Sequence, residues 1–162
     1  MAAVDDILQS YRAPRKVVRG FLARTRSEPR ALSILLAALI VVFVAQWPRL
    51  SRQAFETDVP MAGPMMGTAL ALGATIPIFY LLAALAHVIC KMFGGTGTFY
   101  RARIALFWAL LASAPLALLQ GLTAGFIGQG PQVTIVGCLT FAAFILIWLA
   151  GIRVAEFETG DA

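Results

Sequence analysis

The stretch PMMGTALALGATIPIFYLLAALAHVICKMFGGTGTFYRAR, residues 64–103, decides the fold of this chain. Between Thr68 and Cys90 it contains a single histidine, His87, and no Asp, Glu, Lys or Arg. A helix on the surface of a soluble protein keeps a polar face, which this run lacks. Since about 20 apolar residues in a helix cross the hydrocarbon core of a bilayer, residues 64–92 are predicted to form one long membrane helix.

The composition of the whole chain agrees with a membrane protein. Of its 162 residues, 60% are hydrophobic and 13% are charged, and the mean hydropathy is +0.83. A soluble domain carries roughly 25% charged residues. The length suffices for one membrane domain, so we expect an all-α, polytopic helical bundle with no second folded domain outside the bilayer.

Four apolar runs are predicted to cross the membrane. They cover residues 31–47, 64–92, 103–125 and 133–152, within a membrane domain at 30–153. Pro48 is expected to end the first run, and a mixed-charge loop follows it. A short acidic tail is expected at 154–162. Splitting the second run into a hairpin would give five crossings, but its length of about 44 Å is short for two.

Residues 1–29 form a polar, basic segment that predicts an amphipathic helix. A helix that begins at Pro14 gathers its apolar side chains in one sector, namely Val17, Val18, Phe21 and Leu22. Its basic side chains lie largely elsewhere, namely Arg15, Lys16 and Arg19. Helices of this kind lie on a membrane surface, and a solvated linker is the alternative.

The placement of basic residues predicts the orientation. Four spans put both termini on one side, and that side carries eleven of the thirteen Lys and Arg residues, against two in the opposite loops. By the positive-inside rule the N-terminus is cytoplasmic. Beside a membrane span, such a cluster indicates contact with anionic lipid rather than nucleic acid. The candidate contacts are His87, Lys91, Arg101, Arg103, Arg15, Lys16 and Arg19.

His87 is the one candidate for chemistry inside a span, since ionisable residues within membranes are often functional. It lies one helical turn from Lys91, near the membrane interface. The alternative to a functional role is a histidine that forms a hydrogen bond at this interface. No Asp or Glu falls within a predicted span, and residues 94–97 lack the Lys-Ser/Thr ending of a phosphate-binding loop. There is also no Cys/His spacing typical of a metal site. We therefore expect no enzyme activity, no metal and no cofactor.

Two prolines lie in mid-span, each with a hydroxyl residue two positions earlier: Thr75 before Pro77, and Ser113 before Pro115. A proline frees a backbone carbonyl, which in lipid needs a partner, so both kinks are expected to face the bundle interior. One interpretation is a cavity lined by Thr75, Pro77, Ser113, Pro115 and Gln120. The alternative is a pair of ordinary kinked helices.

Small residues recur at a spacing that permits close helix packing. Gly63 and Gly67 lie four residues apart in the second span, and Gly121 and Gly125 in the third. Such pairs let two helix backbones approach closely. They indicate tight packing without identifying a dimer face.

Three stretches together resemble a known family. They are the basic segment APRKVVR at 13–19, the apolar helix that leads through His87 into KMFGGTGTF at 91–99, and the proline-kinked ASAP at 112–115. Over nearly its whole length the chain resembles a bacterial member of the YIP1 family. The resemblance implies a polytopic helical protein without a known enzymatic activity. Members usually have five spans, and eukaryotic relatives that bind small GTPases carry a long acidic N-terminal region, whereas residues 1–29 here are basic.

Three functions remain open from the sequence. The leading hypothesis is a non-enzymatic protein of the bacterial inner membrane that acts through helix packing with a partner complex, with itself or with lipid. The second is a small transporter or channel component, with a path between the Pro77 and Pro115 kinks. The third is an accessory subunit of a membrane complex that binds lipid or quinone near His87.

Overall fold

The computed structural model describes residues 2–158, with side chains from Val4 onward. Seven helices follow one another in this range: α1 (Ala2–Arg12), α2 (Pro14–Leu22), α3 (Glu28–Thr57), α4 (Ala62–Met92), α5 (Phe99–Ala112), α6 (Ala114–Phe126) and α7 (Pro131–Phe157). Helices α3, α4 and α7, together with the stacked pair α5–α6, are long and apolar enough to cross a membrane. The predicted all-α bundle of four spans with a basic amphipathic helix is thus confirmed.

The α5–α6 unit lies at the centre of the bundle. Helix α3 packs along α6 and α5, α7 packs along α5 and α6, and α4 packs mainly on α5. Alanines recur along α5 and let the neighbouring helices approach closely, while Phe107 and Trp108 fill the space between them. The core therefore lies in the half of the bundle that contains α5. We call this half the His87 end, and the other the Arg52 end.

The first span is longer than the sequence suggested, because α3 continues through Pro48 to Thr57. The expectation that Pro48 ends this helix was wrong. A proline removes one backbone hydrogen bond, which can kink a helix without stopping it. The extension is stabilised by burial of Leu50, and the helix stops at Asp58, whose φ of 52° is left-handed.

The third span also differs from its prediction, since it begins at Phe99 and is broken at Ser113 into α5 and α6. Pro115 occupies the first turn of α6, where its missing N–H costs nothing. The Tyr11 hydroxyl donates to the carbonyl of Ala112 at 2.8 Å. A carbonyl at the break is therefore satisfied by a side chain from the N-terminal segment.

The apolar side of α2 packs against other helices, whereas the sequence predicted that this helix lies on the membrane surface. Helix α2 packs along α7 and α5, and Val17 and Val18 are buried. The Phe21 ring lies 4.4 Å from that of Trp108, whose Nε1 donates to Ser10. The apolar sector thus packs against protein, because α5 and α7 offer it a better-fitting surface than lipid does.

The C-terminal boundary also changes. Helix α7 extends to Phe157, so the expected tail at 154–162 begins as helix, and residues 159–162 lie outside the described residues. Val154, Ala155 and Glu156 are buried. The extra helical turn forms because these side chains have a packing partner, which composition alone does not reveal.

Candidate functional site

A buried contact between a histidine and a carboxyl side chain joins α4 to α7 at the His87 end. Nδ1 of His87 lies 2.8 Å from Oε1 of Glu156, and the two side chains are 5% and 0% exposed. His87 lies one turn after Ala83, on the inward side of α4, and these are the two buried residues of that helix. Glu156 lies in the last turn of α7. The pair therefore joins α4 to the last turn of α7, and both side chains are closed to solvent.

The glycine-rich turn after α4 covers this pair. Gly94 has a φ of +86°, a conformation that favours glycine. The backbone N–H of Thr96 donates to the carbonyl of Glu156 at 2.8 Å. A Cβ at Gly97 would lie 2.6 Å from Oε2 of Glu156. Glycine is required here because the turn passes directly over the carboxylate.

Helix α5 completes the cover from the other side. The ring of Phe99 lies 4.3 Å from that of His87. Nε of Arg101 donates to the carbonyl of Ala155 at 3.0 Å, and its Nη2 donates to that of Val154 at 3.3 Å. These carbonyls belong to the last turn of α7, where a cation is favourable because the helix dipole is negative there. Arg101 therefore holds the end of α7 in place.

One oxygen of the buried carboxylate is unsatisfied. Oε2 of Glu156 is enclosed and has no hydrogen-bond partner among the described residues. A buried acceptor without a partner is costly, so the site gains its stability from the other contacts around it. In the described part of the chain, no three His, Cys, Asp or Glu residues are placed to hold a metal.

Sequence reasoning identified His87 and missed its partner. Glu156 was assigned to the short acidic tail because Arg153 was taken as the end of the last span. The signal that could have found it is the apolar pattern after Arg153, where Val154, Ala155 and Phe157 continue the helix. The expectation that His87 contacts lipid does not agree with its burial, since α5, α7 and the turn enclose it.

The other predicted lipid contacts occupy different environments at the same end. Arg101 is directed into the end of α7 as described. Arg19 pairs with Glu158 at 2.9 Å, and Arg103 pairs with Glu28 at 2.8 Å. Three are exposed, and no hydrogen bond or ion pair within the described range engages their charged groups: Arg15, Lys16 and Lys91. Contact of these cations with lipid stays a prediction.

The predicted cavity residues are not brought together. Helices α4 and α6, which carry Pro77 and Pro115, make no contact within the described residues, and both prolines are exposed. The hydroxyl of Thr75 donates to the Leu72 carbonyl at 2.6 Å, and that of Ser113 to the Leu110 carbonyl at 2.9 Å. Hydroxyls bonded within their own helix need no cavity, so these contacts give no support to a path between the two kinks.

Gln120, the last predicted cavity residue, lies elsewhere. It lines a groove between α3 and α6 toward the Arg52 end, together with Gln46 and Arg49. This groove does not reach Pro77, since none of its lining residues belongs to α4.

Comparison with known proteins gives one match. A family model described as the Yip1 domain matches residues 8–162. No curated protein and no solved structure matches the chain. The matched range includes His87, the glycine-rich turn and Glu156.

Proposed function

The chain belongs to the YIP1 family, and we propose that it is a non-enzymatic membrane protein. We further propose that it acts by packing α4 against another membrane helix. The family is one of non-catalytic membrane proteins. The other helix belongs either to a second copy of the chain or to a partner complex. The observation that carries the proposal is the exposed, small-residue side of α4.

This side lies in the outer half of α4, which we define as residues 62–77. Four small residues follow one side of the helix and are all exposed: Gly63, Gly67, Ala71 and Ala74. No heavy atom lies within 4 Å of a Cβ built at Gly63 or Gly67. The outer half contains no buried residue, while Ala83 and His87 anchor the inner half. Helix α4 is thus fixed at one end and open at the other.

The lipid-facing side of α7 offers a contrast that favours a helix as the partner. That side carries large exposed side chains, namely Ile135, Leu139, Leu146 and Leu149. Long aliphatic and aromatic side chains pack well among acyl chains. A glycine and alanine surface instead leaves a shallow channel, into which the backbone of another helix fits closely. The outer half of α4 also exposes Met66 and Leu70, but the glycines and alanines beside them leave room for the backbone of another helix, which favours a helix-packing surface.

The orientation is part of the same proposal. Arg15, Lys16 and Lys91 present exposed charges at the His87 end, which supports placing that end and the N-terminus at the cytoplasmic face of a bacterial inner membrane. There the three cations would meet the phosphates of anionic lipids.

A matched pair of glycine substitutions tests the packing proposal. Gly67→Leu fills the small-residue side of α4, whereas Gly73→Leu adds the same bulk about 120° away around the helix. Both positions are open, with no atom within 4 Å of a built Cβ, so both variants are expected to fold. Self-association is measured by energy transfer between labelled chains in liposomes, and partner binding by purification from native membranes.

We expect Gly67→Leu to lower energy transfer or partner recovery at least fivefold, and Gly73→Leu to leave both near the wild-type value. Equal losses in the two variants, or no association of the wild type in either assay, would contradict the proposal. Substrate turnover in proteoliposomes that depends on His87 would contradict its non-enzymatic part.

A further inference from the structure

A polar groove toward the Arg52 end takes no part in the contacts described so far. It lies between α3 and α6 beside the turn into α7, and consists of two adjoining parts with volumes of about 340 and 310 Å³. Both parts are lined by Arg49, Ala124 and Gln129. Helix α4 contributes nothing to the lining, so the groove is independent of the packing surface proposed above.

The groove lies at the depth of lipid headgroups. Arg49 follows Glu28, the first residue of α3, by 21 positions, which corresponds to about 32 Å along the helix. The hydrocarbon core of a bilayer is about 30 Å thick. With Glu28 at one interface, Arg49 therefore reaches the other, and Gln46 lies one turn closer to the membrane interior.

Of the two arginines in the groove, only one is engaged. Nε of Arg52 donates to Oε1 of Glu56 at 2.7 Å, and its Nη1 donates to the carbonyl of Phe126 at 3.2 Å. The guanidinium of Arg49 is exposed, and no described residue offers it a hydrogen bond or an ion pair. With Arg52 and Glu56 balancing each other, the groove keeps one positive charge with five free N–H donors.

Amide side chains surround this charge. Gln46 and Gln120 line the part nearer the membrane interior, Gln53 lines the outer part, and Gln129 lines both. Gly137 of α7 leaves room for the Gln120 amide, whose Nε2 would lie 2.8 Å from a Cβ built at Gly137. The wall beneath is apolar and includes Val42, Ala117 and Val133. The groove thus offers a cation and amide donors above an apolar floor.

We propose that this groove binds the phosphate group of an anionic phospholipid. A guanidinium matches the geometry of phosphate oxygens and can donate two parallel hydrogen bonds to them. The Gln46 and Gln120 amides donate to the remaining oxygens, and the glycerol and first acyl carbons lie on Val42 and Val133. The amphiphilic lining favours a lipid phosphate over a free phosphate ion.

Titration of the full chain in neutral detergent tests the proposal, with binding measured by calorimetry. The three probes are dihexanoyl phosphatidylglycerol, dihexanoyl phosphatidylcholine and inorganic phosphate. The groove variants are Arg49→Gln and Gln46→Leu. Their matched controls are Arg153→Gln, which removes an exposed arginine at the His87 end, and Gln132→Leu, which removes an exposed amide outside the groove. Thermal unfolding of each variant confirms that it folds.

We expect saturable binding of phosphatidylglycerol at one site, weakened about tenfold or more by Arg49→Gln because two charge-assisted bonds are lost. Gln46→Leu should weaken it severalfold, and both controls should bind like the wild type. Phosphatidylcholine should bind less tightly, since its headgroup carries a compensating cation. Binding of inorganic phosphate with the same dependence on Arg49 would support the site and identify phosphate itself as the ligand. The proposal would be overturned if Arg49→Gln bound phosphatidylglycerol as tightly as the wild type does. It would also be overturned if Arg153→Gln weakened that binding as much as Arg49→Gln does.

Discussion

Two glycine pairs in this chain are alike in sequence and opposite in structure. Gly121 and Gly125 in α6 contact the backbone of α3, where an added Cβ would overlap Ala45 and Pro48. Gly63 and Gly67 in α4 have the same spacing, yet nothing lies within 4 Å of a Cβ at either position. The spacing shows that a helix can approach closely, but not which helix does so. One pair is used inside the chain, and the other is open for association.

The largest expected effect is on the closed pair. Gly121→Ala places a methyl group against the Ala45 carbonyl, and the rigid backbone there cannot move aside without separating α3 from α6. We expect a loss of about 3 kcal/mol in the free energy of unfolding, measured by reversible denaturation in detergent micelles. A loss below about 0.5 kcal/mol would show that the two helices are not in the close contact described.

A second prediction concerns the pair that fixes the inner half of α4. Glu156→Ala removes the partner of the buried His87 side chain and leaves an empty space beneath the glycine-rich turn, and we expect it to cost about 2–3 kcal/mol. The double variant His87→Ala/Glu156→Ala should lose little more stability than Glu156→Ala alone, because the two side chains contact each other. The matched control is Glu158→Ala, which removes the exposed pair with Arg19 and should cost less than about 1 kcal/mol. Additive losses at 87 and 156 would contradict the pairing.

A smaller effect is expected where α1 meets the break in the third span. Tyr11→Phe removes the hydrogen bond to the Ala112 carbonyl and should cost about 1 kcal/mol. Burial raises the pKa of the Tyr11 phenol above its usual value, so the hydroxyl is a donor at neutral pH. Tyr100→Phe, which loses a longer bond of 3.2 Å to the Ser27 N–H, serves as the comparison and should cost less. No loss of stability in Tyr11→Phe would contradict this placement of α1.

The smallest effect on stability is expected at the open pair. Gly67→Ala meets no neighbour, and alanine favours a helix by about 0.5–1 kcal/mol over glycine. The monomer should therefore be unchanged or slightly more stable in detergent, in contrast to Gly121→Ala. A loss comparable to that of Gly121→Ala would mean that Gly67 packs within the chain, and the difference between the two pairs would disappear.

The features predictable from the sequence are those set by the membrane. The spans and the small-residue pairs follow from hydropathy and from the chemistry of glycine, and a kink near Pro115 follows from the chemistry of proline. Features set by tertiary packing were missed. Pro48 did not end α3 because the helix after it buries Leu50, and the apolar side of α2 faces α5 and α7 because those helices accept it.

The candidate site shows the same difference between features that the sequence predicts and features that tertiary packing sets. His87 stood out because it is the one histidine in an apolar run, but its partner is 69 positions away in what resembled a tail. No local pattern reveals that contact. The residues predicted to line a cavity between Pro77 and Pro115 are not brought together for a related reason, since mid-span prolines indicate kinks without specifying which helices are neighbours.

The most direct test of the central claim is photo-crosslinking in native membranes from α4. A photoreactive side chain is introduced at Ala71, on the small-residue side, or at Ala69, about 160° away around the helix, since both positions are exposed. We predict crosslinks to a protein, either a second copy or a partner, from position 71 and adducts with lipid from position 69. Lipid adducts alone from both positions would contradict the proposal that α4 packs against another helix.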